Sequence, residues 1–329
     1  MAGKLMRAVW YEGYGGGAAK LKHVEIPIPK PSKDEVLIKF EAVSLNPIDC
    51  KIQEGMARPI LPRKFPHIPG YDVTGEIVET GSGAKKFKAG DKVVAIISHT
   101  GGGGLAEYGV AKENMIVVRP PEVSPAQAAP LHVTALTAHQ ALTQAIGLKL
   151  DGSGSQKNLL ITAASGGVGH YAVQLAKLGN AHVTATCGAR NIDLVKSLGA
   201  DEVLDYKSPD GVALKSPSGK KYDAILHCGP AIPFSVFEPN LSAKGKVIDI
   251  TPSPKAIFTF VLKKITWSSK TLEPLFSSPK VESLAYVVDL VKEGKLKTVI
   301  DSTYPLSRIE EAWVKCSEGH TTGKIIIEP

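Results

Sequence analysis

The chain has 329 residues, of which 43% are hydrophobic and 22% charged, with 32 glycines and 23 prolines. At roughly 100–200 residues per domain this is enough for two domains, each able to bury a core, and the proportions exclude a disordered or collagen-like chain. The 39 Lys and Arg outweigh 32 Asp and Glu to leave a formal net charge of +7, scattered in pairs such as Lys85-Lys86, Lys220-Lys221 and Lys263-Lys264. That mild excess reads as a solvated surface. Peripheral contact with an anionic membrane is the sharper alternative, and a clustered footprint for nucleic acid is missing.

No apolar run reaches the length of about 18 residues that a spanning helix needs. The longest, AIFTFVL at 256–262, stops at Lys263-Lys264. The N-terminal MAGKLMRAVWYEGYGG has neither a signal-peptide core nor a Ser/Arg-rich transit pattern. Cys50, Cys187, Cys228 and Cys316 form no C-x-x-C pair. They argue against a disulfide framework and a Cys-rich zinc site, and they fit a reducing compartment.

In chain order, residues 1–130 are punctuated by Gly and Pro and carry short β-type runs: VLIKFEAV (36–43), DVTGEIVETG (72–81) and DKVVAII (91–97). Closely spaced strands with turns predict a small antiparallel barrel or sandwich. The texture changes at SPAQAAPLHVTALTAHQALTQAI (124–146), which has helical spacing after a Ser-Pro start. Strands and helices then alternate: NLLITAA (158–164), VGHYAVQLAKLG (168–179), HVTATC (182–187), NIDLVKSLG (191–199), EVLDY (202–206), YDAILHC (222–228) and GKVIDI (245–250). Such alternation predicts a doubly wound parallel sheet with right-handed crossovers. A long amphipathic helix is expected over 278–296, and the tail from Thr298 reads strand–helix–strand. The tail resembles the first region in texture, so the α/β unit is expected to interrupt a domain that takes back the C-terminus. The expected division is 1–130 with 295–329, and 131–294.

The sharpest motif is ITAASGGVGHYAVQLAK (161–177). A buried strand enters a turn made by Ser165, Gly166, Gly167, Val168 and Gly169, and a helix follows. Glycine lets the backbone approach a phosphate, and the helix start offers unpaired N–H groups and a positive dipole end to a pyrophosphate. Ser165 stands where the first glycine of G-x-G-x-x-G would be. The strand before and the helix after supply the context that such a motif needs. No carboxylate for a ribose 2′-hydroxyl ends the second strand. Gly188 and Arg190 follow it instead, and the Arg fork suits a 2′-phosphate, which favours NADP(H) over NAD(H). Tyr206 and Lys207 end the next strand and could add stacking and charge around the adenosine phosphate.

These residues, with SLNPIDCKIQEG (44–55), IPGYDVTGEIVETG (68–81), GGGLAEY (102–108) and LVKSLGADEVLDY (194–206), resemble the medium-chain dehydrogenase/reductase superfamily, quinone oxidoreductase branch. Within it the chain looks most like plant chloroplast-envelope homologues, with plant alkenal and enone reductases as the next neighbours. The resemblance implies an α/β protein with a GroES-like, β-rich catalytic domain plus a Rossmann doubly wound parallel-sheet domain, an active cleft between them, and a homodimer. It implies a chloroplast location peripheral to the envelope, with the cytoplasm as the alternative. Zinc-dependent relatives carry a Cys near the NPxD segment and a His after the IPG turn. Here those places read Asn46-Pro47-Ile48-Asp49 and Tyr71-Asp72, so chemistry without zinc is expected.

The reading that follows is NADPH-dependent reduction of an activated C=C bond in enones or oxo-lipids, or of quinones. By resemblance Asn46 orients nicotinamide or bonds a substrate carbonyl, Tyr71 donates a proton or hydrogen bond, and Thr137 bonds the carboxamide. Asp49 could brace its loop, Lys51 could stabilise an oxyanion, and His99 could line the mouth. Gly229, Ile250 and Thr251 fall at carboxyl ends of later strands, where ligands cross an open parallel sheet. Cys50 stands where an aromatic is expected. LHVTALTAHQAL replaces something nearer LPVAGLTALQAL, which makes His132, Thr134 and His139 unusual and leaves open a specialised terpenoid or alkaloid substrate. A non-catalytic NADPH-binding protein with a structural or RNA-binding task is the reading from a different class.

Overall fold

The computed structural model describes residues 4–56, 58, 64–97, 103–278 and 280–329. Two compact units emerge: Met1–Val133 with Pro279–Gly294 and Thr298–Pro329, and Thr134–Ser278 with Lys295–Lys297.

The first unit begins with a hairpin of β1 (Leu5–Trp10) and β2 (Lys22–Pro27). It continues through β3 (Glu35–Leu45), α1 (Pro47–Gln53), β4 (Asp72–Thr80), β5 (Lys92–Ile96), β6 (Tyr108–Lys112), β7 (Ile116–Val118) and α2 (Pro125–Ala128). In the second unit follow α3 (Thr134–Gln140), β8 (Asn158–Ile161), α4 (Gly169–Leu178), β9 (His182–Cys187), α5 (Ile192–Ser197), β10 (Glu202–Asp205), α6 (Pro209–Val212), β11 (Tyr222–His227), α7 (Phe234–Phe237), β12 (Leu241–Asp249), α8 (Pro254–Ile265) and β13 (Thr271–Pro274). The first unit is completed by α9 (Val281–Lys292), β14 (Ile300–Pro305), α10 (Ile309–Glu318) and β15 (Lys324–Glu328).

The first unit is built on a 7-stranded sheet in the order β14-β15-β3-β4-β5-β7, with β6 also on β3. The long β3 serves three neighbours because β4 lies along one edge while β6 pairs with residues 35–39 and β15 with residues 43–45 of the other. Val36, Ile38, Val43, Val73, Ile77, Val93 and Ile327 form its core with Trp313 of α10. The returning tail therefore belongs to this sheet: β15 pairs antiparallel with β3 across the whole sequence. Helix α9 also groups with this unit rather than with the α/β region in which the sequence reading put it.

The second unit is a 6-stranded sheet ordered β10-β9-β8-β11-β12-β13, in which every pairing is parallel. Numbered within the unit this is the 3-2-1-4-5-6 order of dinucleotide-binding folds, with the switch point between β8 and β11. Both faces are covered, which is why NLLI, HVTATC and YDAILH read as nearly unbroken apolar runs. The helix expected over 124–146 is instead broken. Between α2 and α3 the chain makes a 3-10 turn at Ala129–Leu131, and after α3 a π-turn at Ala141–Ala145. Pro130 has no N–H for a continuous helical ladder.

Candidate active site

The turn after β8 is shaped by crowding. Ala163 adopts φ +49, an uncommon conformation for a residue with a side chain. Gly166 N–H donates to its carbonyl at 2.9 Å, and His170 Nδ1 reaches back to the Gly166 carbonyl at 2.9 Å. At Gly169, the first residue of α4, a Cβ would lie 2.3 Å from the Ala163 oxygen and 2.6 Å from Ala164 Cα. Only glycine lets the helix start this close to the strand. Gly166 is less strict, since a Cβ there would meet that oxygen at 3.2 Å. Ser165 accepts a bond from Asn191 Nδ2 at 3.0 Å, which ties this turn to the one after β9.

The neighbouring strand ends complete the rim. Arg190 is exposed in a 3-10 turn. Tyr206 is 45% exposed, Lys207 Nζ stands 5.7 Å from its ring centre, and the ring packs near Gly188. Past β11, Thr162 Oγ1 accepts from Cys228 N–H at 3.0 Å and shares a hydrogen bond with His227 Nδ1, 2.8 Å away. Thr251 donates its hydroxyl to the Gly229 carbonyl at 3.0 Å and its N–H to Asp249 at 2.9 Å. Ile250 N–H bonds the His227 carbonyl at 3.2 Å. Thus the strand ends carrying Ser165, Gly166, Gly167, Val168, Gly169, Arg190, Tyr206, Gly229, Ile250 and Thr251 share the carboxyl edge of one sheet. Thr137 is on α3 of the same unit, nearly buried.

The first unit holds a different arrangement. Asn46 caps α1, with Pro47 in the first turn, and its N–H donates to Asp49 Oδ2 at 2.8 Å. Its side chain is spread over three partners: Nδ2 donates to the Ser44 carbonyl at 3.1 Å and to Asp72 Oδ2 at 2.9 Å, while Oδ1 accepts from Lys324 Nζ at 2.6 Å. Lys324 also donates to the Leu45 carbonyl at 2.9 Å. Asp72 Oδ1 accepts from Val133 N–H at 3.1 Å and lies 3.7 Å from His132 Nδ1. Asn46, Asp49, Asp72 and Lys324 are all buried. Burial pushes the Asp72 carboxyl up to about 7, although the Lys324 charge and the Asn46 bond pull it down. Burial likewise pushes the Lys324 ammonium below its ordinary range, against the pull of Asp72.

The comparisons with known proteins agree with both halves. Residues 32–121 match the alcohol dehydrogenase GroES-like domain family and residues 198–327 the zinc-binding dehydrogenase family. The chain is 68% identical to the chloroplast envelope quinone oxidoreductase homolog of Arabidopsis thaliana over 329 residues, 100% of each chain. The chain belongs to the medium-chain dehydrogenase/reductase superfamily, quinone oxidoreductase branch. A second Arabidopsis thaliana relative, the chloroplastic NADPH-dependent alkenal/one oxidoreductase, is 33% identical over 338 residues, covering 99% of this chain and 80% of its own. The solved quinone oxidoreductase of Coxiella burnetii superposes with a TM-score of 0.88 at 31% identity, covering 99% of this chain and 100% of that one. The protein is accordingly an oxidoreductase with a GroES-like domain and a Rossmann-like parallel sheet, and its likeness to the envelope homologues places it in the chloroplast.

Set in this family, the residues singled out from the sequence separate clearly. Asn46 enters the network with both amide hydrogens engaged, so it can accept a further bond through Oδ1 but has no N–H left for a carbonyl. Lys51 sits half-buried on α1, the helix that Asn46 caps, outside the bonds just described. Tyr71 is fully buried beside Ile52 and Ile96, its hydroxyl 3.5 Å from His67 Nε2. Cys50 is buried against Cys316, which with desolvation drives its thiol far above the usual range. All four cysteines are free thiols. Burial lowers the His139 imidazole. His99 lies outside the described residues. Lys324, Asp72 and His67 were not expected from the sequence. The one trace of Lys324 is a lysine opening the otherwise apolar strand KIIIE.

Proposed function

We propose that the protein reduces the activated C=C bond of enones or lipid-derived oxo compounds, or a quinone ring, with NADPH and without zinc. The observation that carries the cofactor half is the edge formed by the Gly166–Gly169 turn and by Gly188 and Arg190 after β9. The closeness demanded at Gly169 fits a backbone cradle for pyrophosphate, and an Arg in place of a carboxylate fits the 2′-phosphate of NADPH. Bound there, NADPH supplies hydride from nicotinamide C4 to the electrophilic carbon.

The chain's own groups must then orient the acceptor and stabilise charge on its oxygen. Within the second unit, Thr137 on α3 suits a hydrogen bond to the nicotinamide carboxamide. Lys51 is the cation proposed to answer the enolate or phenolate oxygen, and Tyr71, whose hydroxyl lies 3.5 Å from His67 Nε2, the proposed proton or hydrogen-bond donor. A conjugated acceptor is already electrophilic and needs no Lewis acid. Among the described residues no group of three or more His, Cys, Asp or Glu is placed to hold a metal ion. A homodimer is part of the same reading.

An enone panel assayed with NADPH, with deuteride on nicotinamide C4, tests the reaction. Label is expected on the β-carbon of a saturated ketone or aldehyde. Label on a carbinol carbon would show carbonyl reduction and overturn the assignment. Intact NADPH binding with no turnover of any enone or quinone would favour the non-catalytic reading.

A further inference from the structure

His170 is the second residue of α4 and is fully buried, its ring set against that of Tyr171 with centroids 3.9 Å apart. No step of the reaction uses it. An apolar side chain would fill the same space without taking an imidazole out of water, so its hydrogen bonds carry the explanation. Nδ1 lies 2.9 Å from the Gly166 carbonyl. A carbonyl oxygen only accepts, so Nδ1 bears the hydrogen and the partner settles the tautomer. The backbone N–H of His170 reaches the same oxygen at 3.1 Å. Two donors of one residue thus converge on one carbonyl.

Fixing that oxygen also fixes the next N–H. In a trans peptide the C=O and the following N–H share a plane and point opposite ways. With the Gly166 oxygen held toward α4, the Gly167 N–H is aimed away from the helix and out of the turn. This peptide joins two glycines, and glycine accepts either sign of φ. Without a clamp it is free to turn over and show a carbonyl oxygen where a phosphate is to be bound. Turning it over here breaks both bonds and leaves a buried ring donor unpaired, which is costly. The clamp is itself anchored. Gln174 Nε2 donates to the His170 carbonyl at 2.9 Å and to the Lys297 carbonyl at 2.9 Å, and Lys297 N–H donates to Gln174 Oε1 at 2.8 Å. At its other end Gly166 is tied to the strand exit by its N–H bond to the Ala163 carbonyl at 2.9 Å.

We propose that His170 is a positioning residue for the dinucleotide, holding the Gly166–Gly167 peptide in the orientation that presents the Gly167 N–H to a pyrophosphate oxygen. This rests on the cofactor site proposed above and names the side chain that readies it. The contribution is preorganisation: the donor is in place before the anion arrives, so binding does not have to order it. The pyrophosphate is common to NADPH and NADH. The clamp therefore serves both equally, whereas Arg190 answers only the 2′-phosphate.

Dissociation constants of the full chain for NADPH and for NADH, followed by the fluorescence of the nucleotide, test the role. His170→Leu should weaken both roughly tenfold, and in turnover the loss should fall on KM rather than on kcat. His170→Asn should stay within about twofold of the wild type, because its amide nitrogen sits where the imidazole Nδ1 does and can donate to the same carbonyl. His170→Ala should repeat the leucine result and carries the test should the leucine variant misfold. Wild-type affinity in the leucine and alanine variants would overturn the proposal while leaving the cofactor site intact. So would a loss in His170→Asn as large as that in His170→Leu, or a loss confined to NADPH. A wild-type chain that binds neither dinucleotide would overturn the cofactor reading together with this one.

Discussion

Asp72 in the first unit and Glu202 in the second are both strand carboxylates held by donors, yet their acidities move in opposite directions. Asp72 is fully buried, and desolvation raises it to about 7 despite its bonds from Asn46 and Val133. Burial also pushes Glu202 up, but bonds from Ser218, Ser216 and Thr184 outweigh it and bring the carboxyl down to about 2. The depth of burial decides whether donors prevail. The same contrast separates the candidate residues of the two units. The first unit keeps charge in its interior, where each group depends on the next. The second presents backbone N–H groups and an exposed Arg at a sheet edge.

The strongest way to break that contrast is to remove the buried cation. Lys324→Met would leave Asp72 and Asn46 Oδ1 without their positive partner. Losing one member of a buried pair costs about 3–5 kcal/mol. Urea unfolding should show a loss of that size, with partial recovery in Lys324→Met combined with Asp72→Asn. An unchanged midpoint would mean that the network does not hold the first unit together.

Arg190→Ala addresses the other half, and its effect should be smaller and additive. A charge-assisted bond to a phosphate is worth about 1.5–3 kcal/mol, so the KM for NADPH should rise roughly 10–100-fold while that for NADH barely moves. Stability should be unchanged, since Arg190 is exposed. Equal effects on both cofactors would remove the 2′-phosphate role.

Legibility in the sequence follows the same division. The glycine turn could be read because strand, turn and helix are consecutive residues, and so could the parallel sheet, whose strands are unbroken apolar runs. The Asn46–Asp72–Lys324 network could not, because Lys324 meets Asn46 across 278 positions. A buried lysine at a strand start has no local pattern to announce it. Asn46 was legible only through resemblance, and its hydrogen-bond state depends on partners that no spacing reveals. The break at Pro130 was legible in principle but was outweighed by the helical spacing around it.

The carboxylates give the finest test, because their contributions to stability have opposite signs. Glu202 has a folded pKa below its ordinary value of 4.5. Its contribution is therefore complete above about pH 4.5 and is lost as the pH falls toward 2. For Asp72 the folded value lies above the ordinary 3.8, so its contribution is complete in acid and is lost as the pH rises through about 7. Glu202→Gln should flatten the acid limb of a plot of unfolding free energy against pH. Only about 1 kcal/mol should be lost near neutrality, because the amide oxygen can still accept from Ser216 and Thr184. Asp72→Asn should leave that limb intact and remove a decline between about pH 4 and 7. If both substitutions altered the same limb, the two environments would not differ as their burial indicates.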